Sequence, residues 1–139
     1  MFNILKFQIY PEVNGIVTMN GEPVEGAVVK RFHDFRDREK TSEYITKKDG
    51  KFHFPETNGY SLWGLTPFEN RIYQIITISF NHAEYTAWRL SKSSRDDDPA
   101  LSKILSMLCC ELTNEEEYRS IDRGNYLTAS SYGLAHWNT

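Results

Sequence analysis

VNGIVTMNGEPVEGAVVKR (residues 13–31) and SEYITKKDGKFHFP (residues 42–55) carry the reading of the fold. Each is a pair of extended runs broken by a turn: Asn20-Gly21-Glu22-Pro23 in the first, Lys48-Asp49-Gly50-Lys51 in the second. Asn-Gly and Asp-Gly supply the positive φ angles that tight hairpin turns demand. In the first run Val13, Gly15, Val17 and Met19 share one face and Asn14, Ile16 and Thr18 the other, the alternation of a half-buried strand. The return run, residues 24–32, holds Gly26-Ala27-Val28-Val29, whose small side chains let a neighbouring strand or sheet come close. Lys51-Phe52-His53-Phe54 alternates too, with the phenylalanines toward a core and His53 toward solvent, and Pro55 stops it.

Outward from these units, residues 2–10 read as an opening strand or a docked arm that Pro11 ends. HDFRDREK (residues 33–40) has no strand period and one apolar residue, Phe35, so it reads as a loop, long for a hairpin connection. Residues 56–71 form a second irregular stretch, with Tyr60, Trp63 and Phe68 set among Gly59, Gly64 and Pro67. IYQIITISF (residues 72–80) is the clearest strand; Asn81-His82-Ala83 turns it, and residues 84–92 return antiparallel. Residues 91–99 read as a solvated loop around Asp96-Asp97-Asp98. Leu101, Ile104, Leu105, Leu108 and Leu112 fit a helix begun at Asp98-Pro99, while residues 103–112 also read as a strand; one short helix or turn is expected near 99–106, with a strand through 104–112. Residues 113–124 read as an acidic linker, and the end of the chain as a last strand or irregular cover. About seven short strands and no βαβ unit predict an all-β antiparallel two-sheet β-sandwich.

The chain of 139 residues suits one domain, with 40% hydrophobic and 14% aromatic residues to fill a core. Its organisation is an arm or strand over 1–12, a central unit over 13–55, and a C-terminal cover over 113–139. The net charge of −3 is spread over both halves, which carries no nucleic-acid signature. No stretch nears the ~18 apolar residues of a membrane span. MFNILKFQIYPEV, broken by Lys6 and Gln8, lacks a signal-peptide core and cleavage site, so a cytoplasmic location is expected. Cys109 and Cys110 are adjacent, which disfavours a disulfide between them and fits reduced thiols.

The run Gly15-Ile16-Val17-Thr18, Asn20-Gly21-Glu22-Pro23-Val24-Glu25-Gly26-Ala27-Val28-Val29, then Thr46 and Asp49-Gly50-Lys51-Phe52-His53-Phe54-Pro55, resembles carboxypeptidase regulatory-like and Cna-B-like modules. The resemblance implies a transthyretin-like β-sandwich. With the central aromatic strand pair and Cys110-Glu111-Leu112-Thr113, nearly the whole chain looks like a bacterial family of unknown function, DUF6795. That family brings no activity to transfer, and its members look like single-domain cytoplasmic proteins.

Chemistry is sparse. His33, His53, His82 and His136 have no metal-ligand spacing, and neither a nucleophile elbow nor a phosphate loop occurs, so neither metal nor cofactor is expected. The transthyretin-like fold also hosts hydroxyisourate hydrolase, but its terminal Tyr-Arg-Gly-Ser is echoed only by Tyr118-Arg119-Ser120, well before the end. On that alternative His53 or His82 would be the base and Arg89 the anion clamp. A second alternative is a carbohydrate-binding module with Trp63 and Trp88 as stacking platforms. The leading expectation is a non-catalytic module that binds another protein through its loops or an edge strand, suiting an immunity or adaptor protein for a toxin or secreted effector. Aromatic and arginine residues anchor interfaces most often. The candidate contacts are therefore Phe32, His33, Phe35, Arg36 and Arg38 in the first loop, and Tyr60, Trp63 and Phe68 in the second.

Overall fold

Extended backbone dominates the computed structural model, which describes residues 5–35, 38–61, 71–93, 99–121 and 129–137. Its first half runs β1 (Leu5–Tyr10), β2 (Val13–Met19), β3 (Glu22–Pro23), β4 (Val28–Phe35), β5 (Arg38–Ile45), β6 (Lys51–Phe54) and β7 (Thr57–Ser61). The second runs β8 (Arg71–Phe80), β9 (Ala83–Ser93), α1 (Pro99–Leu105), β10 (Leu108–Glu111), β11 (Glu117–Ile121) and β12 (Ala129–Gly133). One layer is a six-stranded sheet in the order β11-β12-β9-β8-β4-β5. In the other, β2 is flanked by β10 on one side and by β6 and then β3 on the other. The β1-β7 ribbon prolongs the β2-β6 ladder beyond the break at Pro11 and Pro55. This is an all-β sandwich with one short helix.

The turns fall on the residues expected for them. Asn20 and Gly21 (φ 53° and 81°), Gly50 (φ 71°), and Asn81 and His82 (φ 53° and 64°) all adopt left-handed backbone. Val13 and Val17 are buried, as are Phe52 and Phe54, while His53 faces solvent. Pro99 opens α1, where its missing N–H costs nothing. Leu101, Ile104 and Leu105 form the buried face of that helix, at spacings of three and four residues.

Several expectations need correction. The run over 24–32 does not return along β2: only Glu22–Pro23 pairs there, and the chain then crosses to the six-stranded sheet. The crossing is sealed by Thr46, whose Oγ1 donates to Val24 O (2.7 Å) and accepts from the Ala27 N–H (3.0 Å). Likewise the second turn carries the chain from β5 to β6, which pairs with β2. Residues 33–35 and 38–40 are strand rather than loop, because β4 and β5 pair in unbroken register from Val28↔Ile45 to Phe35↔Arg38; residues 36 and 37 lie outside the described residues. Over residues 38–40 the missing period has a physical cause: β5 is an edge strand, largely exposed, and its charges discourage strand addition.

Residues 57–61 and 117–121 are strands rather than irregular segments, and residues 91–93 extend β9. The helix occupies the start of 104–112 and the strand only its end. Twelve strands are present among the described residues instead of about seven, and β10 pairs with β2 in parallel rather than antiparallel fashion.

Both seams between the layers are bridged. At the second, Leu134 N–H donates to Thr86 O and Ala135 N–H to Ala87 O, and one residue later His136 exchanges two backbone hydrogen bonds with Cys109. Gly133 makes this possible: at φ 147° its Cα lies so close to β9 that a Cβ would sit 2.2 Å from Ala87 O. Between the layers Trp88, Tyr10, Ile72, Ile76, Leu105 and Leu134 are fully buried. Gln74, also fully buried, donates from Nε2 to Ile9 O (2.7 Å) and accepts from Trp88 Nε1 (3.1 Å), joining β1 to the larger sheet.

Candidate functional site

Inward residues of β8 alternate as Ile72, Gln74, Ile76 and Ile78, so Tyr73 and Ile75 must point away from the core. Ladder register then sets a row across the outer face of the six-stranded sheet. Phe32 lies opposite Ile75, Ile75 opposite Arg89, Arg89 opposite Tyr132, and Tyr132 opposite Tyr118. Tyr73 is paired with Ser91 in the adjoining row. Together Tyr73, Arg89, Ser91, Tyr118, Ser130 and Tyr132 line a groove of about 330 Å³. Tyr73 and Tyr118 remain 51% and 71% exposed, side by side with the other groove residues.

Arg89 is the charge at the centre of this groove. Its guanidinium carbon lies 4.5 Å from the Tyr132 ring centroid, and the Tyr118 and Tyr132 rings are 4.9 Å apart. Stacking occupies one face of the guanidinium and restrains the side chain; its N–H fork stays available to an acceptor. Among the described residues no carboxylate pairs with Arg89.

Two further polar clusters serve the fold. Arg31 is buried between the layers, over the rings of Tyr10 (4.8 Å) and Phe54 (5.0 Å), and donates to Pro55 O (2.7 Å) and Thr57 Oγ1 (2.6 Å). Burial lowers its pKa, against an opposing pull from Tyr10. Burial likewise raises the Tyr10 phenol, whose hydroxyl donates to Phe32 O (2.7 Å). His33 beside them is pushed below its ordinary value, by burial first and then by Arg31 and Lys40.

The second cluster is a clamp. Glu111 Oε1 accepts from Thr18 Oγ1 (3.2 Å) and Gly21 N–H (2.7 Å), and Oε2 from Asn20 N–H (3.1 Å) and from the N–H and hydroxyl of Thr113 (2.9 and 2.6 Å). Desolvation presses its pKa upward, but these donors prevail and hold the carboxyl at about 2.

The structure scatters the contacts expected from sequence. Phe32 belongs to the outer row just described, half-buried beside Ile75. His33 points into the core at 8% exposure, and Phe35 packs on Phe7 with ring centroids 4.7 Å apart. Arg38 is exposed at the start of β5, and Tyr60 is exposed on β7, opposite Lys6. Arg36, Trp63 and Phe68 lie outside the described residues.

The hydrolase constellation is not assembled: His53 is on the outer face of the other layer, bonded to Asn14 Oδ1 (2.7 Å), and His82 sits in the β8–β9 turn, seven residues before Arg89 along β9. Trp88 is wholly buried and cannot stack on a sugar. Cys110 is buried, which pushes its thiol upward, and half-buried Cys109 precedes it along the strand, where side chains alternate. Among the described residues no group of three or more His, Cys, Asp or Glu side chains could hold a metal ion. No helix there is long and apolar enough to cross a membrane.

Sequence reading missed Tyr73, Tyr118, Ser130 and Tyr132 as a group. A signal existed in the outward positions of residues 72–80 and in the Tyr-x-Ser and Ser-x-Tyr alternations at 118–120 and 130–132. Without the register, nothing says that these runs are neighbours.

Fold and groove together describe a β-sandwich with an aromatic face around one arginine. The chain belongs to the family described as Domain of unknown function (DUF6795), whose model matches residues 13–115. That span contains Tyr73, Arg89 and Glu111, while Tyr118, Ser130 and Tyr132 lie beyond it. No curated protein and no solved structure matches the chain.

Proposed function

We propose that this protein is a non-catalytic protein-binding module whose contact surface is the outer face of the six-stranded sheet. The observation that carries the reading is the groove itself: three tyrosines, two serines and a stacked arginine on four adjacent strands. Tyrosine offers a large, rigid contact at small entropic cost, serine offers adaptable hydrogen bonds, and arginine adds a directional charge, the chemistry protein-recognition surfaces favour. The β-ladder beneath holds these groups in place before a partner arrives, so little ordering cost is left for the moment of binding.

The setting we propose is an immunity or adaptor role in the cytoplasm, toward a toxin or secreted effector; the small single sandwich suits that use. We also read the sandwich as transthyretin-like, supported by the Asn20-to-Val29 and Asp49-to-Pro55 pattern. Superposing an experimentally solved structure on that fold tests the kinship.

A photo-crosslinking amino acid placed at Tyr73 or Tyr118, in cells of the native host, tests the function. The expected result is one discrete adduct from both positions and none from Lys51, on the opposite layer. Equal labelling from Lys51, or no adduct from either tyrosine, overturns the reading.

A further inference from the structure

We infer that the groove recognises an extended segment of its partner that places an acidic side chain on Arg89; this rests on the binding-module reading and gives it a chemistry. Size is the first argument. At about 330 Å³ the groove falls at the lower end of ligand pockets, which run from about 300 to 1,000 Å³, and suits one or two side chains rather than a cofactor. Its long axis runs across the strands. Four strands at a spacing of about 4.8 Å give a span of about 14 Å, the reach of roughly four extended residues.

Charge complementarity is the second. Among the described residues, Arg89 is the one formally charged residue lining the groove, and no carboxylate there pairs with it. Tyr132 stacks on one face of the guanidinium, which turns the N–H fork into a fixed donor pair, the geometry that a carboxylate meets with two parallel hydrogen bonds. Ser91 and Ser130 add hydroxyls that donate to a carboxylate or to peptide carbonyls alongside it. At the far end of the face Asp34 lies opposite Tyr73 and Glu39 opposite Asp34. These acids repel a like charge there and so direct the acidic side chain toward β9, β12 and β11.

Peptide-library phage display against the full chain tests the inference, with Arg89→Gln, Arg89→Glu and Tyr118→Ala panned alongside and each variant's melting temperature measured. Arg89 and Tyr118 are exposed, so all three variants are expected to fold. The expected result is an Asp or Glu enriched at one position of the peptides that the unaltered chain selects. Arg89→Gln then weakens those peptides about tenfold or more, the scale of one charge-assisted hydrogen bond, and Arg89→Glu selects Lys or Arg at the same position. Peptides without an acidic position, or unaffected by Arg89→Gln, overturn the inference; if Tyr118→Ala still abolishes their binding, the binding-module reading survives. Peptides indifferent to Tyr118→Ala as well, or no peptide selected at all, overturn both. A glycan array bound through this face independently of Arg89 also overturns the acidic-segment assignment.

Discussion

Glu111→Gln removes a charge and an acceptor from the clamp that ties the end of β10 to the β2–β3 turn. The carboxylate takes two hydrogen bonds on Oε1 and three on Oε2. Glutamine keeps one oxygen, so its amide nitrogen must confront either Gly21 N–H and Thr18 Oγ1 or the Asn20 and Thr113 donors. At least one backbone N–H loses its partner in either orientation. Because the site is half-buried, water compensates in part, and the net cost is about 2–3 kcal/mol. In a domain of this length that lowers the melting temperature by about 6–12 °C.

The pH dependence gives the prediction its sign. The folded carboxyl sits at about 2, below the ~4.3 of an unfolded glutamate. As pH falls, the unfolded chain takes up this proton first, so the clamp's contribution is full above about pH 5 and is lost toward about pH 2. The gap between parent and variant, followed by circular dichroism melts, should therefore be wide near neutrality and narrow by about pH 3. An unchanged melting temperature at neutral pH, or a gap as wide in acid, refutes the clamp.

Other substitutions probe other joints. Gly133→Ala combines an unfavourable φ with a Cβ 2.2 Å from Ala87 O; a loss of about 3 kcal/mol or more in urea unfolding is expected, and a loss below about 1 kcal/mol contradicts the seam. Trp88→Phe leaves Gln74 Oε1 buried without its donor, costing about 1–3 kcal/mol, and Gln74→Leu in addition should recover part of that loss in a double-mutant cycle. Burial and the neighbouring Arg31 and Lys40 lower the pKa of His33 in the fold; because the unfolded chain binds this proton first, stability falls as pH drops below about 6.5. His33→Gln should flatten that slope in denaturant titrations across the same range.

Legibility in the sequence followed burial and turn chemistry. Asn20-Gly21, Asp49-Gly50 and Asn81-His82 announce their turns because few residues tolerate that backbone, and Phe52 and Phe54 announce their face because strands alternate. The partner of each strand was less legible: a turn residue says that the chain reverses, not whether it returns to the same sheet, and Thr46 and Gly133, which decide the crossings, look ordinary in sequence. Edge strands were least legible, since β5 and β11 need no apolar period; Tyr118 in an acidic run gave no hint that it stands beside Tyr132. The candidate surface inherits that limit: Phe32 was named from sequence as a candidate contact and lies in its outer row, whereas the groove depends on cross-strand register.

Amide chemical-shift mapping of the ¹⁵N-labelled chain, titrated with the partner captured at Tyr118, addresses the binding face directly. The account predicts that the perturbed amides cluster on β8, β9, β12 and β11, around Tyr73, Arg89, Tyr132 and Tyr118. Perturbations centred instead on β2 and β6, on β5 or on the β1–β7 ribbon would contradict it.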